Sequence, residues 1–254
     1  RAVDSIGGMG KIVSSGKTVV VKPAILTSDK NCAPDPRVVA AVVKLAREAG
    51  GTVIVAESSG NGSSAYNLNY VGITSAAEAA GAQVKDLHAD KEVWMEVPKG
   101  VKLRDVKTYS TIYKCDVLIS VPRLKRHGSS TVTISLKNMM GTVPPKEMDR
   151  FHNVDLSQCI ADLNTVIKPD LTVVDATYAM TKSGPTGGVM VEMNTIMAAG
   201  DPVAIDTIAA QKLYELEGAP VSGVVGIKHI SAAASLGVGT NDPSKIKIIE
   251  EKLS

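Results

Sequence analysis

The feature that most constrains the fold is a strand–helix–strand pattern over residues 17–57. Lys17–Pro23 is a run of β-branched residues closed by a proline, and Gly51–Glu57 is a second apolar run. Between them, Pro36–Gly50 has the spacing of an amphipathic helix, with Asp35 as the predicted N-cap and the glycine at its end. Neighbouring parallel strands need such a crossover, so this order predicts a βαβ unit and a parallel sheet.

The rest of the chain continues this alternation. Further strands are predicted at Ala82–Leu87, Val93–Pro98, Val117–Val121, Leu171–Ala176, Asn194–Ala199 and Ile246–Ile249. Helices are predicted at Ile73–Gly81, Tyr109–Lys114, Asp155–Ile167, Asp201–Leu213 and Val225–Leu236. We therefore predict one α/β domain over residues 1–254, with three layers: a mainly parallel sheet and helices on both faces. It forms a single body or two lobes, with a cleft near residues 122–154.

The composition argues against two classes of protein, those that bind nucleic acids and those that span a membrane. Apolar residues make up 44% of the chain but aromatic residues only 3%, so Val, Ile, Leu, Ala and Met must build the core. The net charge of +2 and the absence of a basic stripe interleaved with aromatics argue against nucleic-acid binding. The sequence has no run of about 18 apolar residues, so no membrane span is expected.

The three cysteines argue against a metal or disulfide framework. Cys32, Cys115 and Cys159 are far apart, without a Cys-x-x-Cys pair, so no self-contained iron–sulfur or zinc motif is present. We expect no disulfide and no metal ligand among them. Cys115 and Cys159 have apolar surroundings typical of core thiols, and Cys32 is predicted to be the more exposed.

The chain begins at Arg1 without a methionine. We therefore expect that an amino-terminal piece is missing. A cleaved export signal is favoured over a cytoplasmic location, and a disordered tail is the alternative.

Positive charge follows the central predicted strand, Val117–Val121. Pro122 should end that strand, and Arg123, Lys125, Arg126 and His127 come immediately after it, with no acidic residue before Glu147. Because open α/β sheets bind ligands beyond the carboxyl ends of their strands, this segment predicts an anion site. The alternative is a solvated basic loop.

Other polar residues are predicted at the same edge of the sheet. Asp175 ends the run Leu171–Val174, so we expect it to be partly buried and paired with a cation of the basic segment. His127 and His152 are candidates for acid–base groups, metal ligands or ordinary surface histidines. We assign catalytic roles to His127, His152 and Asp175, and no metal ligand. The candidate ligand-binding residues are Lys22, Glu57, Arg123, Lys125, Arg126, Lys137, Asn138, Gly184 and Gly187.

Several motifs together resemble one family, domain of unknown function 362. They are Val-Lys-Pro at 21–23, Val-Ala-Glu-Ser at 55–58, Val-Pro-Arg-Leu-Lys-Arg-His at 121–127, Leu-Lys-Asn-Met-Met-Gly at 136–141, Phe-His at 151–152, Asp-Ala-Thr at 175–177, Ser-Gly-Pro-Thr-Gly-Gly at 183–188 and Asp-Pro-Val-Ala-Ile-Asp at 201–206. The match covers almost the whole chain in order. The sequence departs from the family at Ala24, where asparagine is common, which removes a polar ligand role at that position.

The resemblance implies several expectations about function. Many family members carry a separate cysteine-rich, ferredoxin-like segment, which leaves an iron–sulfur cluster open as a cofactor, although the cysteine spacing here does not support one. A remote likeness to the lactate racemase family, which uses a nickel-bearing nucleotide cofactor, is an analogy of fold.

Three hypotheses about function remain. The first is an enzyme or cofactor-handling protein that binds a small anionic ligand, with phosphate or carboxylate, in a basic cleft. The second is an accessory protein that holds an iron–sulfur cluster with a redox partner protein. The third is a binding module without chemistry.

Overall fold

A computed structural model describes residues 1–252, and its secondary structure alternates as the sequence predicts. The strands are β1 (Thr18–Pro23), β2 (Thr52–Glu57), β3 (Gln83–Asp86), β4 (Glu92–Glu96), β5 (Asp105–Tyr109), β6 (Val117–Val121), β7 (Arg123–His127), β8 (Thr131–Thr133), β9 (Leu171–Thr181) and β10 (Val189–Ala199). The α-helices are α1 (Ala2–Ser5), α2 (Pro36–Glu48), α3 (Ser64–Tyr70), α4 (Ile73–Ala79), α5 (Ser110–Lys114), α6 (Ser135–Asn138), α7 (Pro145–Val154), α8 (Leu156–Asn164), α9 (Pro202–Leu216) and α10 (Lys228–Ser235). Short 3-10 helices lie at Met9–Lys11, Leu87–Ala89, Met139–Thr142, Val221–Gly226 and Pro243–Lys245.

The main sheet has eight strands in the order β3-β2-β1-β6-β9-β7-β8, with β10 paired to β9. β1, β2, β3, β6 and β9 run parallel, whereas β10 and β8 are antiparallel to their neighbours. The strands β4 and β5 form a separate two-stranded antiparallel sheet. The predicted fold class, a mainly parallel α/β sheet, is confirmed.

Helices cover both faces of the sheet, because alternate residues of the central strands point to opposite sides. In β1, Val19 and Val21 belong to one apolar cluster, which includes residues of α2 and α4. Val20 belongs to the second cluster, which includes residues of α8, α9 and α10. These two clusters produce the predicted three layers. Among the described residues, no helix is both long and apolar enough to cross a membrane.

The strand expected to end at Pro122 continues beyond it. Ile119 of β6 pairs with Leu171 of β9, and Arg123 of β7 pairs with Asp175 in the same register. The Asp175 amide also donates to the carbonyl of Pro122, at 2.8 Å. The basic segment is therefore a strand rather than a loop. The predicted end of the next strand at Ala176 is also wrong, because β9 extends to Thr181.

Three other sequence interpretations need correction. Residues 246–249 form no strand. Residues 145–154, for which no helix was predicted, form α7, which begins at Pro145, a residue whose fixed φ suits a first helical turn. Cys32 is fully buried rather than exposed, and its thiol lies within hydrogen-bonding distance of the Pro185 carbonyl, at 2.9 Å.

Candidate functional site

A cavity of about 210 Å³ opens at the carboxyl ends of β1 and β2. Strand ends of a parallel sheet meet at one edge, which is where α/β folds place ligands. The cavity walls also include residues of β7, β8, α6 and α7. Seven of the predicted site residues line it: Lys22, Glu57, Lys125, His127, Lys137, Asn138 and His152.

The cavity floor is a buried ion pair between β1 and β2. The Lys22 ammonium donates to Glu57 Oε2 at 2.9 Å, Asn138 Oδ1 at 2.7 Å and the Pro23 carbonyl at 2.9 Å. The Glu57 carboxylate accepts from the backbone amides of Ile25 and Ser58 as well. Burial lowers the pKa of Lys22 and raises that of Glu57, and their mutual attraction opposes both shifts. These two charges therefore compensate each other, and Lys22 has no free donor.

Gly141 allows the chain to pass close to this pair. A β-carbon at position 141 would overlap the Glu57 carboxylate and lie 2.5 Å from the Lys22 ammonium nitrogen. The Gly141 carbonyl also accepts from the Ser58 amide at 3.1 Å. The glycine that ends the Leu-Lys-Asn-Met-Met-Gly motif is thus required by close packing.

Lys125 brings positive charge to the cavity without a carboxylate partner. It is 2% exposed, and its ammonium has one acceptor within the described residues, the Cys32 carbonyl at 2.7 Å. Burial is the main cause that lowers its pKa to about 8. Thr133 pairs with Lys125 across the β7–β8 ladder, and its buried hydroxyl has no hydrogen-bond partner in this part of the structure. Since cross-strand partners share a face, both present free donors to the cavity.

Lys137 lies on α6, whose first turn is anchored by Asp206 of α9. The Asp206 carboxylate accepts from the amides of Ser135 and Leu136, at 2.8 and 3.0 Å. The Lys137 ammonium contacts only Met140 Sδ, at 2.9 Å, among the described residues, and a thioether is a weak acceptor. Burial, and then the nearby Lys125, lowers the pKa of Lys137 to about 8. Lys137 is therefore a second cation without a matching anion.

The two predicted catalytic histidines have different surroundings. The Nδ1 atom of His127 accepts from the amides of Ser129 and Ser130, so the proton of the neutral ring sits on Nε2. Burial and the positive charge of Lys137 lower the pKa of His127 to about 3. His152 is exposed on α7 at the cavity rim, where burial and Lys137 lower its pKa and Asp149 opposes that shift. His127 is thus a fixed hydrogen-bond donor, whereas His152 can exchange protons with solvent.

Arg126 points away from the cavity because neighbouring residues of a strand face opposite sides. Its guanidinium is bonded to the Glu217 carboxylate, and it stacks on the Tyr214 ring with 4.1 Å to the ring centroid. This pairing lowers the pKa of Glu217. Arg126 therefore fixes the β7 strand to the helix α9.

Arg123 and Asp175 also lie outside the cavity lining. Arg123 Nη2 donates to Asp175 Oδ2 at 2.9 Å, and the Asp175 carboxylate accepts from the Asp35 amide and from Thr177. The expected pairing of Asp175 with a cation of the basic segment is confirmed. Its acceptor positions are filled by structural partners that anchor the start of α2.

The glycine-rich connection between β9 and β10 reaches the cavity through a different residue. Gly184 and Gly187 are not among the lining residues, whereas Pro185 is. The Gly184 carbonyl accepts from the Gly128 amide at 3.0 Å, and a β-carbon at 184 would overlap the Arg126 carbonyl. Gly187 has a φ of +69°, which favours glycine. These glycines shape the connection, and Pro185 closes one side of the cavity.

The three cysteines do not form a cluster site in the structure. Cys32, Cys115 and Cys159 are free and lie on different elements, and burial raises their pKa values to about 12, 12 and 11. Over residues 1–252, no three His, Cys, Asp or Glu side chains group as metal ligands. The residues described therefore do not fit an iron–sulfur cluster held by this chain alone.

Several site residues were not predicted from the sequence. Thr133, Gly141 and Asp149 line the cavity, and Asp206 anchors α6 from outside it. Gly141 and Asp206 both end motifs that carry the family resemblance, so motif position offered a signal for them. Thr133 could have been found from strand alternation, had residues 123–133 been interpreted as a hairpin.

The amino-acid sequence is similar to a described family and to a known protein. The model of a family described as "Domain of unknown function (DUF362)" matches residues 19–211. The thylakoid-associated protein sll1697 from Synechocystis sp. is 26% identical over 99% of this chain and 80% of its own length.

The fold of one solved structure resembles that of the chain. Lactate racemase apoprotein from Thermoanaerobacterium thermosaccharolyticum has a TM-score of 0.50 at 10% identity, over 84% of this chain. The chain spans only half of that protein. A protein from Thermotoga maritima has a TM-score of 0.48 at 11% identity, over 85% of this chain and 57% of its own.

Proposed function

The chain belongs to the DUF362 family, and we propose that it is an enzyme or cofactor-handling protein that binds a small anionic ligand in the cavity beside Lys125 and Lys137. One observation carries this proposal: two lysine ammonium groups line the same cavity, and neither contacts a carboxylate within the described chain. Buried charges in proteins are normally paired, so an unpaired couple of cations favours an anion supplied from solution.

Neutral donors support the same proposal. His127 Nε2–H and the free hydroxyl of Thr133 line the cavity together with the two ammonium groups. The lining carboxylates do not compensate the lysines, because Glu57 is paired with Lys22 and Asp149 is exposed at the rim. The cavity is smaller than the roughly 300–1,000 Å³ typical of drug-sized ligands, which favours a small metabolite.

His152 is the group best placed to handle protons. It is exposed at the rim, and an imidazole can both accept and donate near neutral pH. His127 is unsuited to accept a proton at Nε2, because two backbone amides occupy Nδ1. In an enzyme, His152 would therefore be the acid–base residue, and His127 would orient the anion.

Calorimetric titration with sulfate and with acetate tests the proposal. We expect at least one of these anions to bind the natural chain, and Lys125→Met or Lys137→Met to weaken binding by about 1.5–3 kcal/mol for each charged hydrogen bond removed. Lys146→Met is the matched control, because Lys146 is exposed on α7 and does not line the cavity. Equal affinities in all four proteins, or no binding of either anion, would contradict the proposal.

A further inference from the structure

We propose that the anion held in this cavity is a phosphate dianion, either inorganic phosphate or a small phosphate monoester. This inference rests on the proposed anion site and specifies its ligand. The net charge of the cavity, the number of its hydrogen-bond donors and its apolar wall support it.

The charges that line the cavity, those of buried Lys22, Glu57 and Lys125 and of half-buried Lys137, favour two negative charges on the ligand. Lys22 and Glu57 form a compensated pair with 2.9 Å between nitrogen and oxygen. Lys125 and Lys137 remain, each without a carboxylate partner in the part of the chain described. A monoanion would leave one of these ammonium charges uncompensated in a poorly solvated place, which is unfavourable. A dianion balances both.

The cavity also has more hydrogen-bond donors than a carboxylate has acceptor oxygens to receive them. An ammonium has three N–H donors, and Lys125 uses one on the Cys32 carbonyl. Lys137, the Thr133 hydroxyl and His127 Nε2–H add further donors that have no strong acceptor within the described residues. A carboxylate has two oxygens, whereas a phosphate has three strong acceptor oxygens even when esterified.

An apolar wall beside these donors leaves room for a small organic group. Ile25, Leu26, Met140 and Met148 line the cavity together with the lysines. Side chains of this kind contact carbon atoms rather than phosphate oxygens. The wall is therefore compatible with a monoester whose alcohol part is small. Binding experiments distinguish such a monoester from inorganic phosphate.

Methyl phosphate and methyl sulfate form a matched pair of probes. They have nearly the same shape, but at pH 7.5 methyl phosphate is mainly a dianion, since the second pKa of a phosphate monoester is roughly 6. Methyl sulfate is a monoanion. We expect calorimetry on the full chain to show methyl phosphate binding at least roughly tenfold more tightly. Equal affinities would overturn the dianion inference while leaving an anion site intact, and no binding of either probe would overturn both.

Variants of the lining residues provide a second test of the preference for methyl phosphate over methyl sulfate. In Lys125→Met and in Lys137→Met, one cation is left, so the affinity ratio of the two probes should fall toward unity. Thr133→Val removes a neutral donor and should weaken both probes while keeping their ratio, and Lys146→Met should change neither. A ratio that survives the loss of either lysine would contradict the charge-balance basis of the inference.

Inorganic phosphate is the third probe. Tighter binding of methyl phosphate than of inorganic phosphate would assign the apolar wall to the alcohol part of a monoester. The reverse order would assign the cavity to inorganic phosphate. Either order, combined with weak binding of methyl sulfate, supports a phosphate dianion.

Discussion

Lys22 Nζ lies 2.9 Å from Glu57 Oε2, and both side chains are only 1% exposed. The two residues end neighbouring parallel strands, so the pair joins β1 to β2 at the point where the cavity begins. The other two donors of Lys22 bond to Asn138 Oδ1 and the Pro23 carbonyl, and the Glu57 carboxylate also accepts from two backbone amides. This arrangement lets the fold keep two charges buried at the base of an anion site.

Breaking this pair should destabilise the protein strongly. Lys22→Met leaves Glu57 buried without its counter-ion, and we expect a loss of about 3–5 kcal/mol in the free energy of unfolding. Denaturant unfolding of Lys22→Met, Glu57→Gln and the double variant measures this coupling. We expect the double variant to be more stable than the sum of the single losses predicts. Strictly additive losses would contradict the pairing.

Gly141→Ala tests the close packing against this pair. The added methyl would overlap the Glu57 carboxylate, so the helix-like turn after α6 must move or the ion pair must open. We expect a loss of about 1–3 kcal/mol, as for other overpacked sites, and weaker anion binding. Gly226→Ala is the matched control, because a β-carbon there meets no atom within 4 Å. Similar melting temperatures for both variants would show that position 141 tolerates a side chain.

Most of the fold was predictable because its signals are local. The β-branched run before Pro23 and the Asp35-capped helix that follows give the βαβ order directly. A parallel sheet then places Lys22 and Glu57 at one edge, without further information. The segment after Pro122 was not predictable in the same way. Proline suggests the end of a strand, and pairing with β9, distant in sequence, keeps the chain extended beyond it.

This one misreading explains why Arg126, grouped with the other cations in the sequence, lies outside the cavity. As a loop, residues 123–127 would bring all their cations together. As a strand, they alternate, so Lys125 and His127 line the cavity while Arg126 pairs with Glu217, just after α9. The buried Cys32 thiol contacts the carbonyl of Pro185. These residues are far apart in the sequence, so no local sequence pattern predicts their contact.

Anion affinity should fall as pH rises above about 8. The pKa values of Lys125 and Lys137 are lowered to about 8 by burial, and other charged groups that act on them are Glu57, Lys22 and Arg123. Each lysine that loses its proton removes one positive charge from the site. Sulfate is a suitable probe because it does not titrate in this range. Calorimetry from pH 7 to 9.5 should show the fall, and an unchanged affinity would argue against lysine binding.

Without ligand, the same two lysines should have the opposite effect on stability. Their pKa values are lowered in the folded chain, so between about pH 8 and 10.5 the unfolded chain binds more protons. The contribution of these lysines to the free energy of unfolding therefore rises with pH over this window. The Lys125→Met, Lys137→Met double variant is the reference. As the pH rises through this window, the melting temperature of the natural chain should rise relative to that of the double variant.

His229 should make the protein sensitive to acid. It is fully buried on α10, neither ring nitrogen has a hydrogen-bond partner within the described residues, and burial lowers its pKa to about 3. Its contribution to stability is present above pH 6.5 and is lost as pH falls toward 3, because the unfolded imidazole is protonated first. At pH 5 the loss is about 2 kcal/mol for one such histidine.

His229→Leu removes both the unpaired polar ring and its titration. We expect a variant at least as stable as the natural chain at pH 5, with a smaller difference in melting temperature between pH 7 and pH 5. His88→Gln is the control, since His88 is exposed. An unchanged pH difference in His229→Leu would show that other groups cause the acid sensitivity.

Asp175→Asn separates structural support from ligand binding. Asp175 is fully buried, pairs with Arg123 at 2.9 Å and lies outside the cavity lining, although its predicted position at the edge of the sheet suggested a catalytic role. Losing its charge leaves Arg123 without a counter-ion, so we expect a loss of about 3–5 kcal/mol in the free energy of unfolding. Sulfate affinity of the folded protein should change little. Lys125→Met should show the reverse pattern, with weak binding and a melting temperature close to that of the natural chain. If Asp175→Asn instead keeps its stability and loses sulfate binding, the carboxylate belongs to the functional site.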